Sequence, residues 1–165
     1  VAKRFYLDAS VLAKRYVAET GTPVVNYLFT QAAREDMMCL ALGTVEVLSI
    51  FVRKKNANAI SLAVFNQAMT DFRSEVIDAP DFTKVSLPDP LLYAAMPLVE
   101  THSINATDAV ILRSALDLAA QLRADGNDLA LVASDHRLLR AAQAEGLLTF
   151  DPETQTETDL DALLT

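Results

Sequence analysis

Arg4-Phe5-Tyr6-Leu7-Asp8-Ala9-Ser10 is a short apolar run that ends in a carboxylate and a hydroxyl just where a helical pattern begins. It reads as a buried strand that delivers Asp8 to its carboxyl end. In open α/β sheets, ligands sit in the crevice outside the carboxyl ends of the strands, so an acid at that point is placed for chemistry. Fold and function therefore turn on whether further strands, and further carboxylates, reach the same edge.

Working outward, Val11, Leu12 and Val17 predict a helix over about 10–18, which Gly21 and Pro23 break. Pro23 then opens a helix over about 23–34. The run 37–42 is apolar at every position, as expected of a parallel strand covered on both faces. Gly43-Thr44 starts a helix that closes in the basic cluster Arg53-Lys54-Lys55, and 58–77 reads as one long amphipathic helix with Ile60, Val64, Ala68 and Phe72 inward. A short strand at about 82–86 leads through Pro88 and Pro90 into a helix over about 91–101 that contains Pro97. Asn105 caps the next helix, 129–133 is a strand ending at Ser134-Asp135, 137–145 is a helix stopped by Gly146, and 147–150 is the last strand. Strands alternating with helices through short loops predict an α/β fold: a three-layer sandwich with a central parallel sheet of about four or five strands.

A chain of 165 residues with 52% hydrophobic content suits one compact domain, expected over 1–150, followed by a loose acidic tail over 151–165 with one helical turn near 160–164. No stretch resembles a membrane span or a signal peptide, so a soluble cytoplasmic protein is expected. Cys39 stands alone in an apolar setting, which excludes an intramolecular disulfide framework or a thiolate metal site. The formal charge of −8 argues against phosphate binding. Its distribution softens the objection: residues 151–165 hold five acids and no base, leaving 17 acids against 14 bases, net −3, in residues 1–150.

Asp8 and Asp135 each follow a strand, while Glu46 and Asp108 fall in the first turns of predicted helices. Asp8 and Asp135 are equally well explained as helix N-caps, and Asp108 as an acid favoured by the helix dipole. Glu46 is harder to dismiss, because it stands between Val45 and Val47 in an apolar segment. Together the four say more than each alone. Carboxylates held together repel unless a cation neutralises them, and oxygen-only ligands select Mg²⁺ or Mn²⁺ over Zn²⁺.

The sequence resembles the PIN-domain family and, within it, the VapC-type toxins of toxin–antitoxin pairs. The matching pieces are 6–14 (Tyr6-Leu7-Asp8-Ala9-Ser10-Val11-Leu12-Ala13-Lys14), Glu46 in Thr44-Val45-Glu46-Val47-Leu48, Asp108 in Thr107-Asp108-Ala109-Val110, and Val132-Ala133-Ser134-Asp135-His136-Arg137-Leu138. They come in the family's order across about residues 4–150. The resemblance implies a PIN-like Mg²⁺- or Mn²⁺-dependent endoribonuclease acting on single-stranded or looped RNA, the toxin of a type II pair. Its acidic quartet, catalytic and metal-binding, would be Asp8, Glu46, Asp108 and Asp135. Ser10 and Ser134 would orient the carboxylates or water. A homodimer and a cognate antitoxin, seated in an apolar groove near the first helices, are implied as well.

Where the family often has His shortly after the third acid, this chain has Ile111, and Arg113 takes a place more often small. The RNA-contact candidates are Lys14, Arg15, Arg53, Lys54, Lys55, Arg113, Arg137 and Arg140. His136 is read as a surface residue, and His102 carries no motif. The acidic tail is not a feature of the family, and one expectation is that it folds back on the metal site or a basic groove. Two other functions compete: a catalytically silent PIN-type binding module, and an aspartyl phosphotransferase or receiver domain with Asp8 as phosphoacceptor. The last lacks a second acid where Ser10 stands and a lysine at the end of the 129–133 strand.

Overall fold

Phe5, Tyr6 and Leu7 are all buried in the computed structural model, which describes residues 2–165. They belong to β1 (Lys3–Leu7), the central strand of a five-stranded parallel sheet completed by β2 (Met37–Leu40), β3 (Thr83–Val85), β4 (Asp128–Val132) and β5 (Leu148–Phe150). The order is β3-β2-β1-β4-β5. Phe5 is in register with Met37 on one side and Ala130 on the other.

Each central strand divides its side chains between two cores. Phe5, Leu7, Met37, Cys39, Ala130 and Val132 face a layer made by α1 (Ala9–Tyr16), α2 (Thr22–Gln31), α3 (Ala41–Asn56) and α4 (Leu62–Phe72). Tyr6, Met38, Leu40, Leu129 and Leu131 face α5 (Asp89–His102), α6 (Ala106–Ala124) and α7 (His136–Ala144). This is the expected three-layer α/β sandwich. Burying one such Leu or Phe side chain contributes about 1.5–3 kcal/mol. Inside this second core Tyr6 Oη and Ser114 Oγ hydrogen-bond at 2.9 Å. Burial pushes the Cys39 thiol up to about 12, so it is the inert buried thiol that its setting suggested. Among the described residues no helix is long and apolar enough to cross a membrane.

The segment 58–77 departs from expectation. It is not one helix: α3 runs on to Asn56, Asn58 takes φ +55°, and α4 starts only at Leu62, capped by Ser61. After Phe72 the helix widens into one π turn, Arg73–Ile77. Ala68 and Phe72 are buried as expected, whereas Val64 is exposed. Tyr16, Phe51 and Phe72 form an edge-to-face triangle, and Arg15 grips Glu75 of the π turn at 3.0 and 3.2 Å.

The acidic tail is not loose either. Residues 157–164 form a full helix, α8, with a Thr156–Asp159 capping box. Leu160 is buried, Leu163 and Leu164 pack on the same core, and Tyr27 of α2 donates to Asp161 at 2.9 Å. Charge counting missed this because the apolar side of the segment, Leu160 with Leu163 and Leu164, recurs at helical spacing among the acids.

Candidate metal centre

Strands are added on one side of β1 up to β3 and on the other side from β4 onward. The crevice at the carboxyl ends of β1 and β4 is therefore the point where the winding reverses, the usual ligand position in such sheets. Asp8 stands at that point, its backbone N–H donating to the Val132 carbonyl at 3.0 Å. Its carboxylate caps α1, accepting from Ser10 N at 3.3 Å and from Ser10 Oγ at 2.5 Å.

Asp135 lies past β4, beyond Ala133 and Ser134, and caps α7 by accepting from the amides of Arg137 at 2.8 Å and Leu138 at 3.1 Å. Asp108 sits in the first turn of α6. Asn105 caps that helix by accepting from Asp108 N and donates back to the Asp108 carboxylate, both at 2.8 Å. The capping explanations thus hold as local structure. They do not exhaust the residues, because all four acids line one cavity of about 580 Å³.

Glu46 differs from the expectation in position. Because α3 begins at Ala41, Glu46 is in its second turn, where the helix dipole no longer explains a carboxylate. Its neighbour Val45 is exposed, not buried, while Val47 is in the core. Burial and then the charge of Asp8 push the Glu46 carboxyl up. The effect is larger at Asp108, whose pKa is raised to about 6 by burial and then by Asp8, Asp135 and Glu46, with Arg137 opposing. The carboxylates sense one another across the cavity.

Ser134, on the same wall, has a buried Oγ with no hydrogen-bond partner among the described residues. An unmatched buried hydroxyl costs about 1–3 kcal/mol and asks for an explanation in a ligand or water. Four oxygen donors, carboxyl groups pushed up by mutual charge and this orphaned hydroxyl fit a hard divalent cation in chemistry. Among the described residues, however, no group of three or more His, Cys, Asp or Glu side chains is gathered tightly enough to hold an ion as it stands. Three of the carboxylates, Asp8, Asp108 and Asp135, are each engaged locally, by Ser10, by Asn105 and by the first amides of α7.

The basic candidates divide. Arg53 lines the cavity and is exposed, and Arg137, also exposed, is close enough for its charge to act on Asp108. Arg137 and Arg140 share a neighbouring cleft with His102, whose ring meets Glu145 at 2.7 Å. Arg15 is committed to Glu75 and Asn26, Lys54 to Glu19 and Arg113 to Asp117, while Lys55 lies over the Phe65 ring at 4.5 Å. His136 is exposed beside the cavity-lining Asp135. Lys14 lines the cavity but is buried and paired with Glu19 and Glu153. Glu153 meets the expectation that the acidic tail folds back on the site, although nothing in the spacing of the acids beyond residue 150 says which of them reaches the cavity.

No protein-family model matches the chain, and no curated protein matches it. Solved structures do. FitAcB from Neisseria gonorrhoeae superposes with TM-score 0.62 at 19% identity, over 92% of this chain and 99% of that one. PAE2754 from Pyrobaculum aerophilum gives 0.61 at 20% identity, over 98% and 99%. FitAB bound to an IR36 DNA fragment gives 0.61 at 18%, over 92% and 97%. At these identities the likeness is one of fold, and with the sheet order and helix layers it establishes the PIN-like architecture.

Proposed function

We propose that the chain is a divalent-metal-dependent endoribonuclease of VapC type, the toxin half of a type II toxin–antitoxin pair. One observation carries the reading: Asp8, Glu46, Asp108 and Asp135, from four separate segments, line a single cavity at the point of the sheet where ligands bind.

Asp8, Asp108 and Asp135 would hold Mg²⁺ or Mn²⁺, with Glu46 as a further ligand or as a base. Such an ion, when bound, supplies Lewis-acid chemistry for phosphodiester hydrolysis: water made more acidic and charge on the phosphate and leaving oxygen offset. The chain's own groups do the rest. Ser10 orients Asp8 through its 2.5 Å hydrogen bond. Glu46, its carboxyl pushed up by burial and the Asp8 charge and accepting no hydrogen bond among the described residues, would be the group to take a proton from water. Arg53 and Arg137, exposed and outside any ion pair among the described residues, would hold the strand's phosphates near the acids. Single-stranded or looped RNA is the fitting substrate, because its phosphates and bases are accessible without melting a duplex.

The partners follow from the same resemblance. A homodimer and an antitoxin both require apolar surface, and α5 exposes Leu92, Tyr93, Met96 and Val99 along successive turns.

The decisive experiment compares cleavage of single-stranded RNA with Mg²⁺ or Mn²⁺ and with chelator, for the native chain and Asp8→Asn. Cleavage that survives the chelator or the substitution sinks the proposal. A silent binding module is the second reading, favoured by the absence of a ready-made ligand cluster among the described residues; it predicts RNA binding without turnover under every metal. The receiver alternative is disfavoured, since receiver sheets run 2-1-3-4-5 whereas this one runs β3-β2-β1-β4-β5.

A further inference from the structure

Lys14 sits in the wall of the acid cavity, yet it is only 4% exposed. Its Nζ donates to Glu153 at 2.6 Å and to Glu19 at 3.3 Å. Glu19 in turn accepts from Lys54 at 2.6 Å. Glu19 alone would be one carboxylate shared between two ammonium groups. Glu153 supplies the second negative charge, and it comes from the far end of the chain.

Several independent contacts aim Glu153 at that place. Asp151, itself buried, closes the turn by accepting from Glu153 N at 2.9 Å and Thr154 Oγ1 at 3.1 Å. Pro152 lies against Gly21, where φ is +90° and an added Cβ would stand 3.0 Å from the Pro152 carbonyl oxygen, so only glycine permits the approach. Beyond the turn, α8 docks through Leu160. Glu153 itself keeps a side chain that is 37% exposed, so it can swing into solvent without unpacking any of this.

We propose that Lys14 is a phosphate-binding residue of the cavity and that Glu153 is its built-in competitor, an internal carboxylate standing where a substrate phosphate binds. The inference rests on the reading of the cavity as a phosphodiester site. A carboxylate and a phosphate oxygen are interchangeable acceptors for an ammonium group, so substrate entry exchanges one charge-assisted hydrogen bond for another. The C-terminal segment therefore sets the affinity of the site: it keeps a buried lysine neutralised when no substrate is present, and substrate has to displace it.

The test reads binding without turnover, by fluorescence anisotropy of a labelled 12-nucleotide single-stranded RNA of mixed sequence with Ca²⁺ in place of Mg²⁺. Glu153→Gln should bind about 5–10-fold tighter than the native chain. Glu157→Gln, which removes the same charge from α8 without touching a lysine, should bind as the native chain does. In a Lys14→Met background the gain from Glu153→Gln should vanish. Equal affinity of the Glu153→Gln and native chains, an equal gain from Glu157→Gln, or a gain that persists without Lys14 would each overturn the proposal. Should Lys14→Met not fold, the comparison of Glu153→Gln with Glu157→Gln decides alone. If no metal ion supports cleavage, the nuclease reading fails while this measurement still stands; if cleavage is intact and Glu153→Gln binds no tighter, only the present inference fails.

Discussion

Glu46 and Glu75 are the same residue type at the same degree of burial, both half-buried on the helical layer that holds α1, and they meet opposite fates. Glu75 receives two bonds from Arg15 and one from Tyr16 at 3.1 Å, and its pKa is held below the usual carboxylate range because these bonds outweigh the burial that works against them. Glu46 has no such partner among the described residues, senses Asp8, and is pushed up by burial and that charge. One carboxylate fastens a π turn to α1; the other is left electrostatically unsatisfied at the carboxyl edge of the sheet. Stability and chemistry thus make contrary demands on the same functional group, and natural chains tolerate the unsatisfied version mainly at sites.

The sharpest way to break the contrast is at the unsatisfied end. Asp8→Asn keeps a side chain able to cap α1, so folding should survive while RNA cleavage falls by about 10²–10³-fold or more. Normal cleavage by this variant would reduce the cavity to a cluster of caps. Next in size is the satisfied end. Glu75→Ala leaves Arg15 and Tyr16 without their partner and should lower stability by about 1–3 kcal/mol in urea denaturation, with the cleavage rate per folded molecule unchanged. A loss of activity with no loss of stability would reverse the roles assigned to the two glutamates.

The pH dependence separates them further. Asp108 has a pKa raised to about 6, so the native state binds its proton more tightly than the unfolded chain does. Its contribution to stability is then greatest at low pH and is lost as pH rises through about 6. Glu75 and Glu19, whose carboxyls are depressed, behave oppositely and lose their contribution as pH falls through their folded values. In chelator, the native chain should gain about 1 kcal/mol or less from Asp108 between pH 7 and pH 5, after allowing for solvent screening. Asp108→Asn should flatten that segment of the profile and raise stability at pH 7. A urea midpoint for Asp108→Asn that follows the native pH profile would show that Asp108 does not feel the other acids. The smallest effect expected is at the rim: Arg53→Ala should weaken RNA binding about 3–10-fold and reduce the salt slope by about 0.7, one phosphate contact on a single strand.

Much of this was legible without coordinates, and for identifiable reasons. β1, β2 and β4 are buried on both faces, so apolar runs without alternation marked them. Asp8, Asp108 and Asp135 sit at helix starts, where local sequence rules operate. The failures came where the local signal was shared by two structures. Residues 58–77 carry a helical period, but the break at Asn58 and the π turn depend on how Phe72 and Val76 reach the core beside Tyr16. The acids of α8 outweighed its leucines in any count of composition, although Leu160, with Leu163 and Leu164 beside it, docks the helix.

By itself the sequence determined the strands and most of the helices, and that four carboxylates follow or flank them, since strand burial and helix capping are written within a few residues of each position. Only the tertiary structure decided that those four share one cavity, that Glu75 is matched while Glu46 is not, and that Glu153 reaches Lys14 across 139 residues of chain. Proximity between distant segments is set by sheet order and helix packing, and electrostatic satisfaction depends on that proximity. Neither is encoded by the spacing of residues along the chain.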